Sequence, residues 1–118
     1  MIAPFLTILN QLLIFHWQTE SYAQHKALGK AYENLQELFD KFIETYYGKY
    51  GRPTKNTEYT TSSQSYLETD MNIILNSMFT STLQNINEML SEKDNDLLNI
   101  YDEIEGEFNH IKYLLTLN

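Results

Sequence analysis

Two histidines and two acids in the first half of the sequence have side chains that bind transition metals. His16 and His25 lie nine residues apart, and Asp40 and Glu44 follow His25 at +15 and +19. Two imidazoles with two carboxylates suit Fe(II), Mn(II) or Zn(II). The chain has no cysteine and no Ser-His-Asp or phosphate-loop pattern. Metal chemistry is therefore the catalysis that the sequence suggests.

The two histidines occupy different helix positions. His16 lies in the last turn of an apolar segment, where a lone histidine is more often a packed core residue than a ligand. His25 lies in the first turn of the next segment, where the helix dipole favours the neutral ring that binds metals. The short link QTESYAQ predicts that both rings lie at the same end of the fold.

The acids belong to a longer stripe on one segment. Spacings of four, three and four residues separate Glu33, Glu37, Asp40 and Glu44, so one side of a helix carries all of them. At 100° per residue, the stripe points roughly 150° away from the centre of the apolar stripe on the same segment. The carboxylates should therefore face away from the core of their own chain. They form either a solvated helix face or a cation site completed by groups from elsewhere, such as a second subunit.

Four segments with helical periodicity position these residues. Helices are predicted from about Pro4 to Gln18, from just after Ser21 to about Tyr47, from roughly Ser65 to Leu90, and over 97–115 after the turn SEKDND. The stretch 47–64, rich in Gly, Thr and Ser, is a loop long enough to cross a bundle from end to end. The sequence thus predicts an all-α fold in a single domain over 1–118. The predicted architecture is a ferritin-like four-helix bundle with one long crossover between helices two and three.

The predicted core consists of the periodic apolar residues of the four helices. They are Phe5, Leu9, Leu12 and Leu13 in the first helix; Leu28, Ala31, Leu35, Leu38, Phe39, Phe42 and Tyr46 in the second; Leu67, Met71, Ile74, Met78, Leu83, Ile86 and Leu90 in the third; and Leu97, Tyr101, Ile104, Phe108, Ile111 and Leu115 in the fourth. At the start of the second helix, Ser21 and Gln24 fit the S-x-x-Q capping box.

Composition limits the partners and the location. The 118 residues carry a net charge of −8 and no block of Lys or Arg, so DNA binding is not expected. The absence of cysteine fits a reducing compartment, and we expect a cytoplasmic protein. The apolar start MIAPFLTILNQLLIFHW lacks the cationic region and cleavage site of a signal sequence, and Asn10 and Gln11 interrupt it. It is therefore predicted to be a core helix, with no membrane segment.

One stretch of the chain carries a resemblance to a known family. The segment from LLIFHWQT to HKALGKAYENLQELFDKFIE resembles the ferroxidase signature of the Dps mini-ferritins, in which a His-Trp pair ends the first helix, a second His opens the next, and Asp-x-x-x-Glu follows. His16 with Trp17, then His25, then Asp40 with Glu44 match these elements. The closing helix NDLLNIYDEIEGEFNHIKYLL is also similar to the family's last helix. The Asn- and Tyr-rich composition, typical of an AT-rich genome, suggests a short, virus-encoded member.

The resemblance implies a homo-oligomeric shell, most often a dodecamer built from two-fold dimers. Such shells oxidise Fe(II) with peroxide or oxygen, store ferric iron and protect against oxidative stress. The implied site spans the two-fold interface, with His16 and His25 from one chain and Asp40 and Glu44 from the other. Iron is the expected metal, with zinc and manganese as alternatives. Trp17, beside this site, is either the family's aromatic residue or an ordinary packed side chain.

The sequence also departs from the family pattern. Gly29 stands where the family usually has an acid, which removes one carboxylate, and Glu33 is a possible substitute. No Lys-rich extension precedes helix one, so DNA binding through a tail is not expected, although the tyrosines and cations of YYGKYGRPTK could contact a polyanion. Two alternatives stay open. One is a di-iron site inside one chain, using the E-x-x-H of Glu107 and His110. The other is a ferritin-like structural or interaction bundle without ferroxidase activity.

Overall fold

Four α-helices form the computed structural model, which describes residues 1–117. Asn118, the last residue of the predicted domain, lies outside the described residues. The helices are α1 (Ile2–Gln18), α2 (Tyr22–Tyr50), α3 (Met71–Met89) and α4 (Asn95–Leu114), and a short 3-10 turn, Glu68–Asp70, leads into α3. No strand occurs within 1–117. The prediction of an all-α chain with four helices is confirmed.

The ends of α2 follow from local chemistry. The Ser21 side chain accepts a hydrogen bond from the backbone N–H of Gln24 at 3.3 Å, as the capping box predicts. The return bond differs, because the Gln24 side chain accepts from Thr19 instead. The helix ends at Tyr50, three residues beyond the predicted end at Tyr47. The next residue, Gly51, stops it because its φ of 91° is a left-handed value that favours glycine.

The connection between α2 and α3 runs along α1. Ser63 donates a hydrogen bond from its hydroxyl to the carbonyl of Thr7 at 3.2 Å, and the Gln18 side-chain amide donates to the carbonyl of Tyr66. The chain therefore passes from the first half of α1 to its last turn before α3 begins. Consequently α2 and α3 run in the same direction, opposite to α1 and α4. Helix α1 packs against α2 and α3, and α4 packs against the same two helices.

A buried glutamine holds this crossover in position. Gln11 has no exposed surface, and its amide pairs with the backbone of Gln64 at both ends. Nε2 donates to the Gln64 carbonyl at 2.8 Å, and Oε1 accepts from the Gln64 N–H at 3.2 Å. Because both polar ends are satisfied, burying the amide carries little penalty. The residue that seemed only to interrupt an apolar run is an anchor for a long-range connection.

The start of α3 was predicted wrongly. The chain up to Leu67 is extended rather than helical, and the Leu67 side chain is 72% exposed rather than buried. An extended residue advances about 3.3 Å, against 1.5 Å in a helix, so extended chain gives the crossover the reach to span α1. The buried face of α3 also differs in phase from the prediction. Its buried residues are Met71, Leu75, Phe79, Thr82 and Ile86.

Four phenylalanines, one from each helix, meet in the centre of the core. Phe5 of α1 stacks on Phe39 of α2 at 4.0 Å between ring centroids, and Phe79 of α3 stacks on Phe108 of α4 at 4.1 Å. Phe39 and Phe108 join the two stacks edge to face at 6.3 Å. All four side chains are buried. This phenylalanine row links all four helices, so it fixes the position of α2, which carries the predicted ligands.

A buried carboxylate connects the end of α2 to the turn before α4. The Asp94 side chain is 1% exposed. It lies 2.6 Å from Lys49 Nζ, accepts a hydrogen bond from the Tyr50 hydroxyl, and accepts another from the Ser91 N–H at 2.9 Å. Hydrogen bonds from Lys49, Tyr50 and Ser91 hold the pKa of Asp94 well below its ordinary value of 3.8. The hydrogen bond between Lys49 and Asp94 in turn raises the pKa of Lys49.

This cluster predicts a stability that depends on pH. Because the pKa of Asp94 is lower in the folded chain than in the unfolded chain, folding releases protons. The stabilisation is complete above the ordinary value of 3.8 and is lost as the pH falls through that value toward the lowered one. We expect Asp94→Asn to lower the thermal unfolding midpoint at neutral pH and to flatten its decline in acid. Thermal scans at a series of pH values measure both effects. Asp102→Asn, at an exposed position of α4, should keep the parent's pH profile, and a parent-like slope in Asp94→Asn would contradict the prediction.

Candidate metal centre

The rings of His16 and His25 stack on each other. Their centroids are 3.9 Å apart and their planes differ by 13°. His16 lies near the end of α1 and His25 near the start of α2, with only residues 19–21 between the helices. The expectation that both rings lie at one end of the bundle is confirmed, and they are in direct contact.

Each ring is fixed by the backbone of the other residue. His16 Nδ1 lies 2.6 Å from the carbonyl oxygen of His25, and His25 Nδ1 lies 2.7 Å from the carbonyl oxygen of His16. Because a carbonyl oxygen can only accept, each Nδ1 must carry the proton. In the neutral ring this leaves the lone pair on Nε2, the atom that would bind a metal. Metal-binding histidines are commonly oriented through such a bond from the second ring nitrogen to a carbonyl.

The carbonyl of His16 is available for this bond because α1 ends two residues later. The last carbonyls of a helix have no partner within it and are satisfied by other groups. Here the His25 ring supplies the donor. The helix end and the three-residue link together therefore create the reciprocal pair, which we call the histidine pair.

The histidine pair lines an open cavity of about 630 Å³ on the outer side of α1 and α2. Both rings line it, together with Leu13, Lys26, Gly29, Lys30, Tyr32 and Glu33. The carboxylate of Glu33 lies 3.7 Å from Lys30 Nζ, and both side chains are exposed. Glu33, the possible substitute ligand, thus lies in the same cavity as the two imidazoles. Sequence reasoning assigned Leu13 to the core and did not single out Tyr32, and the structure places both in the lining of this cavity.

Asp40 and Glu44 lie elsewhere on α2. Both are exposed, as are Glu33 and Glu37, so the expectation that the stripe faces away from its own core is confirmed. At 1.5 Å per residue, Asp40 lies about 22 Å along the helix from His25. In the part of the chain that the structure describes, no three His, Asp or Glu side chains are grouped closely enough to hold one metal ion. One chain therefore brings the two imidazoles together but not the four predicted ligands.

Exposed aromatic side chains flank the histidine pair. Trp17 is 71% exposed and Tyr22 is 73% exposed. Lys26 Nζ lies 5.6 Å from the centre of the Tyr22 ring. The interpretation of Trp17 as an ordinary packed residue is wrong for the isolated chain, because most of its side chain is in solvent.

The alternative site at Glu107 and His110 does not face the bundle interior. The His110 side chain is 54% exposed, and its Nδ1 lies 3.8 Å from the Glu107 carboxylate. That carboxylate also accepts a hydrogen bond from Asn34 of α2 at 3.1 Å. The pair lies at the surface between α2 and α4, so an internal di-iron site of the kind considered is not formed.

The basic stretch 46–55, which spans the end of α2 and the start of the crossover, offers fewer free cations to a polyanion than its sequence suggests. Lys49 is engaged by Asp94 at 2.6 Å and by Asp96 at 3.2 Å. Asp94 and Asp96 therefore neutralise the charge of Lys49, which the sequence alone would count as an available cation. Arg52 and Lys55 remain as exposed cations of this stretch.

Comparison with known proteins adds the family. Residues 16–115 match the family of unknown function DUF5856. The chain belongs to the DUF5856 family. An uncharacterized 14.6 kDa protein from the mobD-ri intergenic region of Enterobacteria phage T4 is 36% identical over 104 residues, which cover 86% of the chain and 74% of the phage protein. No solved structure matches the chain.

The stretch matched by the DUF5856 family begins at His16 and includes His25, Gly29, Asp40 and Glu44. It thus contains every residue predicted to form the metal centre, together with the whole crossover. Among the described residues of this family member, none of the helices has the length and apolar character needed to cross a bilayer.

Proposed function

We propose that the chain is a Dps-like subunit that binds and oxidises Fe(II) at a site shared between two copies. His16 and His25 of one copy form one half of the site, and Asp40 and Glu44 of the other copy form the second half. The observation that carries the proposal is the histidine pair. In its reciprocal hydrogen bonds both Nδ1–H groups donate to carbonyls, which leaves the Nε2 lone pair of each neutral ring for a metal.

Two further observations support a shared site. The carboxylates of Asp40 and Glu44 are exposed and lie about 22 and about 28 Å along α2 from His25, so a second copy is needed to complete the ligand set. A two-fold interface pairs the same surface of two copies, so each residue's contact occurs twice. One two-fold dimer would then contain two equivalent sites, each using both chains.

The helix order agrees with a ferritin-like bundle. A four-helix bundle with parallel α2 and α3 and one long crossover between them has the connectivity of ferritin-like folds. In that arrangement α2 carries His25 near its start and Asp40 and Glu44 beyond its middle, and the end of α1 supplies His16. Assembly into a dodecameric shell would enclose a space in which ferric iron is stored.

Iron is the substrate of this reaction. Oxidation is balanced when two Fe(II) ions each give one electron to hydrogen peroxide, which takes up two protons and leaves as two water molecules. The imidazole and carboxylate ligands suit Fe(II), and the two carboxylates offset the additional positive charge of the oxidised ion. The cytoplasm would be protected because peroxide is consumed without free iron remaining in solution.

The test is the disappearance of Fe(II) after addition of hydrogen peroxide, followed with an Fe(II)-specific chelator. The parent should oxidise Fe(II) faster than buffer, and His25→Ala should not. His110→Ala removes an exposed histidine outside the pair and should behave like the parent. A parent rate equal to buffer would overturn the proposal. A parent that is monomeric at micromolar concentration, by size exclusion with light scattering, would also overturn it.

A structural or interaction bundle without ferroxidase activity is the second candidate. It is favoured by the absence, over residues 1–117, of a three-ligand group in one chain, and by the exposed aromatic residues beside the pair. An oligomer that forms normally but oxidises no Fe(II) would support this candidate.

A further inference from the structure

Gly29 lies one turn after His25, against the ring of His16. A Cβ atom built at Gly29 would lie 2.9 Å from His16 Cε1, 3.2 Å from Nδ1 and 3.6 Å from Nε2. Real Cβ atoms essentially never lie within 3.0 Å of an atom from a distant part of the chain. The glycine therefore leaves the space into which the nitrogen-bearing edge of the ring fits.

The His16 ring is held in this space from other directions. Its Nδ1 is hydrogen-bonded to the His25 carbonyl at 2.6 Å, and the ring stacks on that of His25 at 3.9 Å. A side chain at position 29 would force the ring to move, and movement would lengthen this bond or separate the stack. The His16 ring therefore cannot move away from a side chain at position 29 without weakening its hydrogen bond or its stacking on His25.

Backbone geometry does not explain a glycine here. Gly29 lies inside α2, and the glycine with a left-handed backbone within residues 1–117 is Gly51. A glycine inside a helix is less favourable than alanine because it loses more backbone entropy. The other helical glycines, Gly48 and Gly106, have no atom within 4 Å of a Cβ placed on them, so they lack the steric reason that Gly29 has.

We propose that Gly29 is a positioning residue for His16: the missing side chain lets the ring keep Nδ1 on the His25 carbonyl and Nε2 available at the cavity. The link from this role to metal binding rests on the proposed function, whereas the link to ring position does not. The absence of an acid at position 29 then preserves the site instead of weakening it. An acid at this position would remove an imidazole from its place rather than add a carboxylate to the site.

The test compares Gly29→Ala and Gly29→Asp with Gly106→Ala, the matched control in α4. Gly106→Ala should raise the unfolding midpoint by about 2–5 °C, as expected for alanine in a helix. Gly29→Ala should give no such increase. In ¹⁵N imidazole NMR spectra, the His16 signal of the Nδ1-protonated ring should be lost in both Gly29 variants and kept in Gly106→Ala. Fe(II) oxidation should fall by about 10- to 100-fold in both Gly29 variants, the usual range for loss of a group that orients a metal ligand.

Two results would overturn the proposal. One is a Gly29→Ala protein that is stabilised as much as Gly106→Ala and keeps the parent's His16 spectrum. The other is a Gly29→Asp protein that oxidises Fe(II) faster than the parent. If the parent itself does not oxidise Fe(II) but both Gly29 variants lose the His16 signal, the positioning role is supported and the ferroxidase proposal fails. The NMR readout therefore separates the two failures.

Discussion

A mixture of two inactive variants should recover Fe(II) oxidation. His25→Ala damages the imidazole half of each site, and the double variant Asp40→Ala, Glu44→Ala removes the carboxylate half. If each site takes one half from each of two chains, neither variant has an intact site alone. A dimer of one chain of each kind has one intact site, because its undamaged imidazoles and undamaged carboxylates come from different chains.

The size of the recovery follows from counting sites. Random pairing of equal amounts makes half of the dimers mixed, and each mixed dimer has one intact site out of two, so about a quarter of the parent activity is expected. Co-expression of the two variants, followed by the peroxide assay on the purified oligomer, measures this fraction. Mixed oligomers with no recovered activity would contradict a shared site.

The double variant Asp40→Ala, Glu44→Ala also tests whether these carboxylates contribute to the stability of the fold. The stripe on α2 is exposed, and like charges spaced by four residues repel by about 0.2–0.5 kcal/mol. Removing Asp40 and Glu44 should therefore leave the metal-free protein as stable as the parent or slightly more stable. A large loss of stability in metal-free buffer would mean that these carboxylates are structural.

Phe39→Ala should cause the largest loss of stability among single substitutions in the bundle. Phe39 is buried and contacts both Phe5 and Phe108, so it joins the two stacked pairs of the phenylalanine row. Truncation of a buried phenylalanine typically costs about 3–5 kcal/mol, since apolar contact is lost and a cavity is left. Urea unfolding of the parent and the variant measures the difference.

An exposed aromatic provides the comparison for this result. Tyr22→Ala removes a ring that is mostly in solvent, and such changes usually stay within about 0.5 kcal/mol. Phe39→Leu keeps much of the apolar volume and should cost less than Phe39→Ala. Equal effects of Phe39→Ala and Tyr22→Ala would contradict the central place of the row in the core.

Local signals explain which parts of the fold were predictable. Ser21 marks the start of α2 because its hydroxyl caps a nearby N–H, and the acidic stripe is exposed because helical periodicity fixes its direction. The short link likewise brings His16 to His25. In each case the information lies within a few turns of the chain.

The parts that were not predictable depend on distant contacts. The start of α3 is set by the crossover, which Gln11 anchors through a residue 53 positions away. The sequence shows at Gly29 only the lack of an acid, because the space it provides depends on how closely α1 approaches α2. The proposed pairing of the histidines with carboxylates of another chain is not fixed by the spacing within one chain, which sets only the outward direction of the stripe.

The reciprocal hydrogen bonds of the histidine pair also influence how the molecule opens. They join residues only nine positions apart, whereas the Gln11 contact closes a segment of 53 positions. The longer closure costs about 1.5 kcal/mol more chain entropy. Thermal fluctuations should therefore detach the crossover from α1 before they separate the two imidazoles. In hydrogen-exchange terms, the backbone N–H of Gln64, which is bonded to Gln11, should lose its protection before the α1–α2 junction does.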